Sequence, residues 1–234
     1  MMRTSPSSDT RTTNGIALVT FLAFLVAFLP GWNGMLAYAA GFIPARVGEP
    51  GLLDQAGLAI PVVPVIFTPL TATLLHGGWL HLGFNLIILL FCGRQVEWVM
   101  GGRPLLLLYG IGAYAAAAGQ WLLGPDLVIP MIGASGAISA VIGAYALLFS
   151  SRKVRSWGPI PAGAVRMLWL GAGWVFLQFL IGLATGLGGN SLGTGNNAVA
   201  IGAHIGGFIA GMLLTRPLLR KRFPRPQPLG RPPR

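Results

Sequence analysis

The sequence predicts an all-α, polytopic membrane protein, and three observations predict it. Of 234 residues, 54% are hydrophobic and only 9% charged, with a mean hydropathy of +0.71, whereas soluble domains carry roughly a quarter charged residues. The few charges are clustered, leaving uncharged stretches at 12–45, 55–93, 104–125, 127–151 and 167–215, each longer than the ~20 residues that cross a bilayer. The cations, finally, fall in alternate connections between those stretches, as a multi-pass topology requires.

Residues 1–13 read as a polar N-terminal tail, and the first span is expected near 14–37. Its Arg-bearing start, apolar run 16–29 and Ala37-Tyr38-Ala39 triplet also suit a cleavable leader, but the uncharged run continues well past a leader core. Spans two, three and four are expected near 79–98, 104–124 and 134–150. The last uncharged stretch holds two more crossings, near 165–185 and 199–215. Gly186, Gly188, Gly189, Asn190, Gly193, Gly195, Asn196 and Asn197 divide it with a composition that favours loop. Residues 217–234 read as a basic Pro/Arg-rich tail.

Six spans put both termini on one side, and the positive-inside rule tests that count. Fifteen of the sixteen Lys and Arg lie in the tails, beside Arg94 and Arg103, or between spans four and five; only Arg46 lies opposite. The net charge of +11 is therefore a topology signal. The basic tail suits anionic lipid rather than nucleic acid. Cys92, the single cysteine, precludes an internal disulfide and reads as a small packing residue.

Polar groups inside a membrane are costly and mark function. The histidines are His76 and His81 at the start of span two and His204 in span six, and no acid lies deep in a span. A two-aspartate hydrolase and a His-Glu-x-x-His metalloprotease are both excluded. Three histidines suffice in number for zinc, but no carboxylate in the spans stands beside them as base; no metal or other cofactor is expected.

A hydroxyl and an imidazole remain. Gly133-Ala134-Ser135-Gly136 opens span four, so Ser135 sits at a helix N-terminus, where free N–H groups suit a developing oxyanion. In span six His204, Gly207 and Gly211 share a face at i, i+3 and i+7, and glycines there let another helix come close. If that neighbour is span four, with Gly136, Ser139 and Gly143, His204 reaches Ser135 as general base. In span two His81 and Asn85, four apart, supply donors for an oxyanion hole, with Gly133 beside the nucleophile and His76 in a supporting place. Taken singly each feature has a plainer reading: Ser135 and the glycines as helix packing, His204 as a proton relay, His81 with Asn85 as a polar clamp. Trp169, Trp174, Phe176 and Phe179 read as packing residues of span five, and 186–197 as a connector or a cap over the site.

In order, the pattern is His76-x4-His81-x3-Asn85, Gly133-Ala134-Ser135-Gly136, then Ala203-His204-x-x-Gly207-x-x-x-Gly211, with Glu97 after the first. It resembles the rhomboid intramembrane proteases over roughly 65–215. The resemblance implies a six-helix domain over 14–216 in which Ser135 attacks the scissile carbonyl and His204 carries its proton. His81, Asn85 and the Ser135 N–H would hold the oxyanion. It further implies single-span membrane proteins as substrates, no cofactor, and a minimal bacterial-type form in the plasma membrane with both termini cytoplasmic. Ser139 stands where many members carry an aromatic residue that stacks on the imidazole, and the first outer loop lacks a Trp-Arg pair. Alternatives are a non-catalytic rhomboid-like binder of membrane clients and a proton-coupled transporter using His204.

Overall fold

The computed structural model describes residues 10–53, 61–149, 155–165, 168–169, 172 and 200–222. Seven helical stretches organise them: α1 (Arg11–Phe28), α2 (Asn33–Ala40), α3 (Val65–Leu74), α4 (Trp79–Met100), α5 (Gly102–Leu123), α6 (Ser135–Phe149) and α7 (Ile201–Arg222). No strand forms among the described residues, only two isolated bridges. Four of these helices, α1, α4, α5 and α7 through Leu219, are long and apolar enough to cross a membrane.

The expected first span over 14–37 is two helices. Pro30 lacks an N–H to extend the ladder, and Gly31 takes φ +76°, a conformation that ends helices cheaply only at glycine. The chain then turns into α2. The uncharged run 55–93 also holds more than its one expected span, because α3 forms ahead of α4, with Pro69 at the start of its α-helical part Thr68–Thr71, where a missing N–H costs nothing. The remaining boundaries follow local signals. Gly101, at φ +88°, separates α4 from α5, and Gly133, at φ +114°, precedes α6. Most of the fifth expected span, with Trp174, Phe176, Phe179 and the 186–197 loop, lies outside the described residues; Trp169 is described and exposed. Helix α7 runs through Pro217 to Arg222, beyond the expected end near 215.

The core is the triangle of α5, α6 and α7, which make the most extensive contacts among the described residues. Small residues bring these backbones together. A Cβ on Gly207 would meet the Gly136 carbonyl oxygen, one on Gly211 the Ala140 carbonyl oxygen, and one on Gly143 would come 2.5 Å from the Phe208 carbonyl oxygen. Gly143, Gly207 and Gly211 thus form the α6–α7 seam, while a Cβ on Gly136 would come 2.5 Å from the Ala116 Cβ of α5. Gly119, Gly202 and Gly206 make an equivalent α5–α7 seam that sequence reasoning did not single out. Lipid tails are as apolar as leucine, so close van der Waals packing drives this association.

Helix α6 is buried on nearly all sides from Gly136 to Ala144. Loops meet its Ser135 end. Phe42 and Met131 exchange backbone hydrogen bonds of 3.0 and 2.7 Å, and Ala45 N–H donates to the Leu127 carbonyl at 3.1 Å, tying the chain after α2 to the chain before α6. In α4 a π-helical segment, Leu89–Gly93, interrupts the α-helical ladder. Such an insertion rotates the following turns by about one residue, ~100°, and carries Glu97 inward on the same helix as the buried Asn85.

Candidate active site

Ser135 is the first residue of α6, so its N–H is among the four that no intrahelical carbonyl accepts. Its side chain is partly exposed, while His204, in the first turn of α7, is buried. The glycine seam sets their separation: His204 Nε2 lies 2.8 Å from Ser135 Oγ. Gly207, one turn after His204, sits over the Gly136 carbonyl, and its Cβ position is 3.3 Å from Ser139 Cβ. Ser139 is fully buried and its hydroxyl donates back to the Ser135 carbonyl at 2.7 Å. A small residue at 139 thus leaves the volume into which the α7 backbone settles. An aromatic ring there would contest that volume.

The turn before Ser135 is held from two sides. Gly133 N–H donates to the Ala72 carbonyl of α3 at 2.9 Å, and Ala134 N–H donates to His76 Nε2 at 3.4 Å. A Cβ on Gly133 would lie 2.6 Å from His81 Nε2, so glycine is required by close approach as well as by its positive φ. The same Cβ position is 3.8 Å from Ser135 Oγ, so His81 Nε2 and Ser135 Oγ both border the space beside Gly133. His81 Nδ1 accepts the Gly77 N–H at 3.4 Å. That bond favours the tautomer with hydrogen on Nε2, so the atom facing Gly133 is a donor.

His76 lies in the loop between α3 and α4, 1% exposed, its ring edge-on to His81 with centroids 5.0 Å apart. Burial, reinforced by the neighbouring His81, pushes its pKa well below the ordinary value. It stays neutral and keeps a lone pair for the Ala134 N–H. Phe24 of α1, fully buried against Trp79 at 4.9 Å between ring centroids, backs this loop. Asn85 is buried one turn after His81, but its amide donates to the His81 carbonyl at 2.8 Å, within its own helix.

The structure therefore brings together Ser135, His204, Gly133, His81 and His76, with Asn85 linked to them through His81. Sequence reasoning missed the Ala72 carbonyl, which works through the backbone and leaves no residue-type signal. The length of the 55–93 run was the available clue that a further helix precedes span two. Chemically, the arrangement offers a hydroxyl beside an imidazole, with the helix-start N–H of Ser135 and the His81 ring near Gly133 as further donors.

A family model for the rhomboid domain matches residues 65–221. The chain is 30% identical over 165 residues to "Rhomboid protein 1, mitochondrial" of Saccharomyces cerevisiae, covering 67% of this chain and 44% of that protein. It is 32% identical over 173 residues to "Rhomboid-like protein 11, chloroplastic" of Arabidopsis thaliana, covering 69% and 55%. It is also 28% identical over 148 residues to "Rhomboid protease GluP" of Bacillus subtilis, covering 63% and 26%. The chain thus spans about half or less of the length of these relatives. With its apolar helices and a family match over most of its length, it is an integral membrane protein and belongs to the rhomboid family.

Proposed function

We propose that the protein is an intramembrane serine endopeptidase with Ser135 as nucleophile and His204 as general base. The observation that carries this reading is the 2.8 Å approach of His204 Nε2 to Ser135 Oγ at the first residue of a buried helix. Ser135 Oγ attacks the scissile carbonyl carbon as its proton passes to His204 Nε2; the oxyanion receives hydrogen bonds from the Ser135 N–H and His81 Nε2, with Asn85 supporting. Collapse returns the proton to the leaving amine, and water then releases the acyl group by the same route. In this reading Ser135 and His204 act as a dyad, and no cofactor takes part.

The substrates in this reading are single-span membrane proteins, cut where their helix enters the bilayer. The charge distribution supports six crossings with both termini in the cytoplasm of a bacterial plasma membrane, which sets Ser135 below the outer leaflet. In this reading the protease domain covers 14–216, between a polar N-terminal tail over 1–13 and a basic Pro/Arg-rich tail over 217–234. The similarity to a protein named a protease, GluP, favours catalysis over a silent client-binding role. Labelling with a fluorophosphonate tests it: wild type is expected to react and Ser135→Ala not, and equal labelling of both would refute the assignment.

A further inference from the structure

Between α1 and α5, beneath α3, runs an apolar groove of about 470 Å³, within the ~300–1,000 Å³ of small-molecule sites. Gly15 and Val19 of α1 and Leu106 and Gly110 of α5 form its sides, and Leu70 and Leu74 of α3 close it. From Thr12 to Thr20 it extends ~12 Å along α1. The hydroxyls that α3 brings to it are turned away, Thr71 donating to the Ala40 carbonyl at 2.6 Å and Thr73 to the Leu70 carbonyl at 2.7 Å. Thr12, Thr20 and Tyr109 also line it, but the Thr20 and Tyr109 hydroxyls are buried, and the surface it presents is mostly hydrocarbon.

Two observations identify an occupant. Beside the groove Leu18, Val19 and Leu22 of α1 and Leu106 and Leu107 of α5 are exposed, on helices of membrane-spanning length. That face therefore meets acyl chains, not water. At the Thr12 end the mouth is cationic: Arg11 immediately precedes Thr12, Arg103 stands one turn before Leu106, and both are exposed. A lipid phosphate at that depth meets two guanidinium groups while its chain lies along the groove. We propose that the groove binds one acyl chain of an anionic phospholipid, with Arg11 and Arg103 taking the headgroup.

The roof of this site is the segment that seats the nucleophile. Helix α3 carries the Ala72 carbonyl that accepts the Gly133 N–H, and two residues after its end His76 accepts the Ala134 N–H. A chain filling the groove supports α3 from below and steadies the turn before Ser135; this last consequence rests on the protease reading, whereas binding does not.

The test uses the full-length protein, delipidated in mild detergent and titrated with phosphatidylglycerol or phosphatidylcholine. Bound lipid is counted by native mass spectrometry and the thermal midpoint is followed in parallel. A Cβ at Gly15 or Gly110 meets nothing within 4 Å, so Gly15→Leu and Gly110→Leu fill the groove without displacing backbone, and Arg103→Gln removes one headgroup partner. Wild type should hold phosphatidylglycerol roughly tenfold tighter than phosphatidylcholine and gain thermal stability from it. The filled variants should lose both effects and Arg103→Gln the preference. Equal phosphatidylglycerol retention by wild type and the filled variants overturns the proposal, as does a wild type indifferent to headgroup. Fluorophosphonate labelling is independent: lipid preference without labelling leaves this site standing and removes the protease reading, and labelling without preference does the reverse.

Discussion

Glu97 Oε2 accepts both the N–H of Thr13, at 2.8 Å, and its hydroxyl, at 2.6 Å. Its other oxygen accepts the Thr12 N–H at 2.9 Å. A carboxylate from α4 thereby caps the N-terminus of α1, where a negative charge also complements the helix dipole. Glu97→Ala should leave these buried donors unsatisfied and lower stability by about 1–3 kcal/mol. The thermal midpoint in detergent measures it, and Glu97→Gln, which accepts but carries no charge, should fall between the two.

Ser135→Ala and His204→Ala should each reduce cleavage of a reconstituted single-span reporter by about 1000-fold or more, because members of a nucleophile–base unit act together. Both should keep the wild-type thermal midpoint within about 1 kcal/mol of stability, since neither change alters the glycine seam. Cleavage by the serine variant at the wild-type rate would remove the nucleophile from the proposed mechanism.

The oxyanion donors have a smaller expected weight. His81→Ala should lower kcat by about 100- to 1000-fold. Asn85→Ala, whose amide serves the His81 carbonyl, should cost less, and a KM that moves little in both variants would distinguish transition-state stabilisation from substrate binding.

Gly133→Ala should be severe for two reasons: φ is +114° and the new methyl would lie 2.6 Å from His81 Nε2. Turnover should fall at least tenfold, with fluorophosphonate labelling slowed in parallel. Gly211→Ala tests the seam instead, where overpacking costs about 1–3 kcal/mol; it should lower stability first and activity as a consequence.

The His76 pKa is depressed from 6.5 to about 3 by burial, with His81 adding to it. The folded state therefore binds fewer protons here than the unfolded state, so this contribution is fully present above pH 6.5 and is lost as pH falls toward about 3. The slope of thermal midpoint against pH over that window should flatten in His76→Gln. An unchanged slope would show that His76 does not carry it.

Much of the candidate site was legible because polar groups are few and conspicuous in a membrane protein. Ser135, His204 and His81 stood out as rare polar groups near helix starts, and His204, Gly207 and Gly211 shared a face by helical geometry alone. The first expected span was less legible, since its hydropathy runs on past Pro30 and Gly31 while the backbone turns there. Helix α3 was missed because an apolar run has the same composition whether it crosses a membrane or folds back beneath a loop.

By itself, then, the amino-acid sequence determined the membrane habit, the approximate places of the four long apolar helices α1, α4, α5 and α7 and the candidate chemical groups, since composition and periodicity report burial directly. Tertiary structure alone decided that α5, α6 and α7 close into one triangle, that Ala72 and His76 hold the turn before Ser135, and that Glu97 caps α1. Those are long-range backbone and carboxylate contacts, and they arise only when helices distant in the chain settle to within a glycine's width of one another.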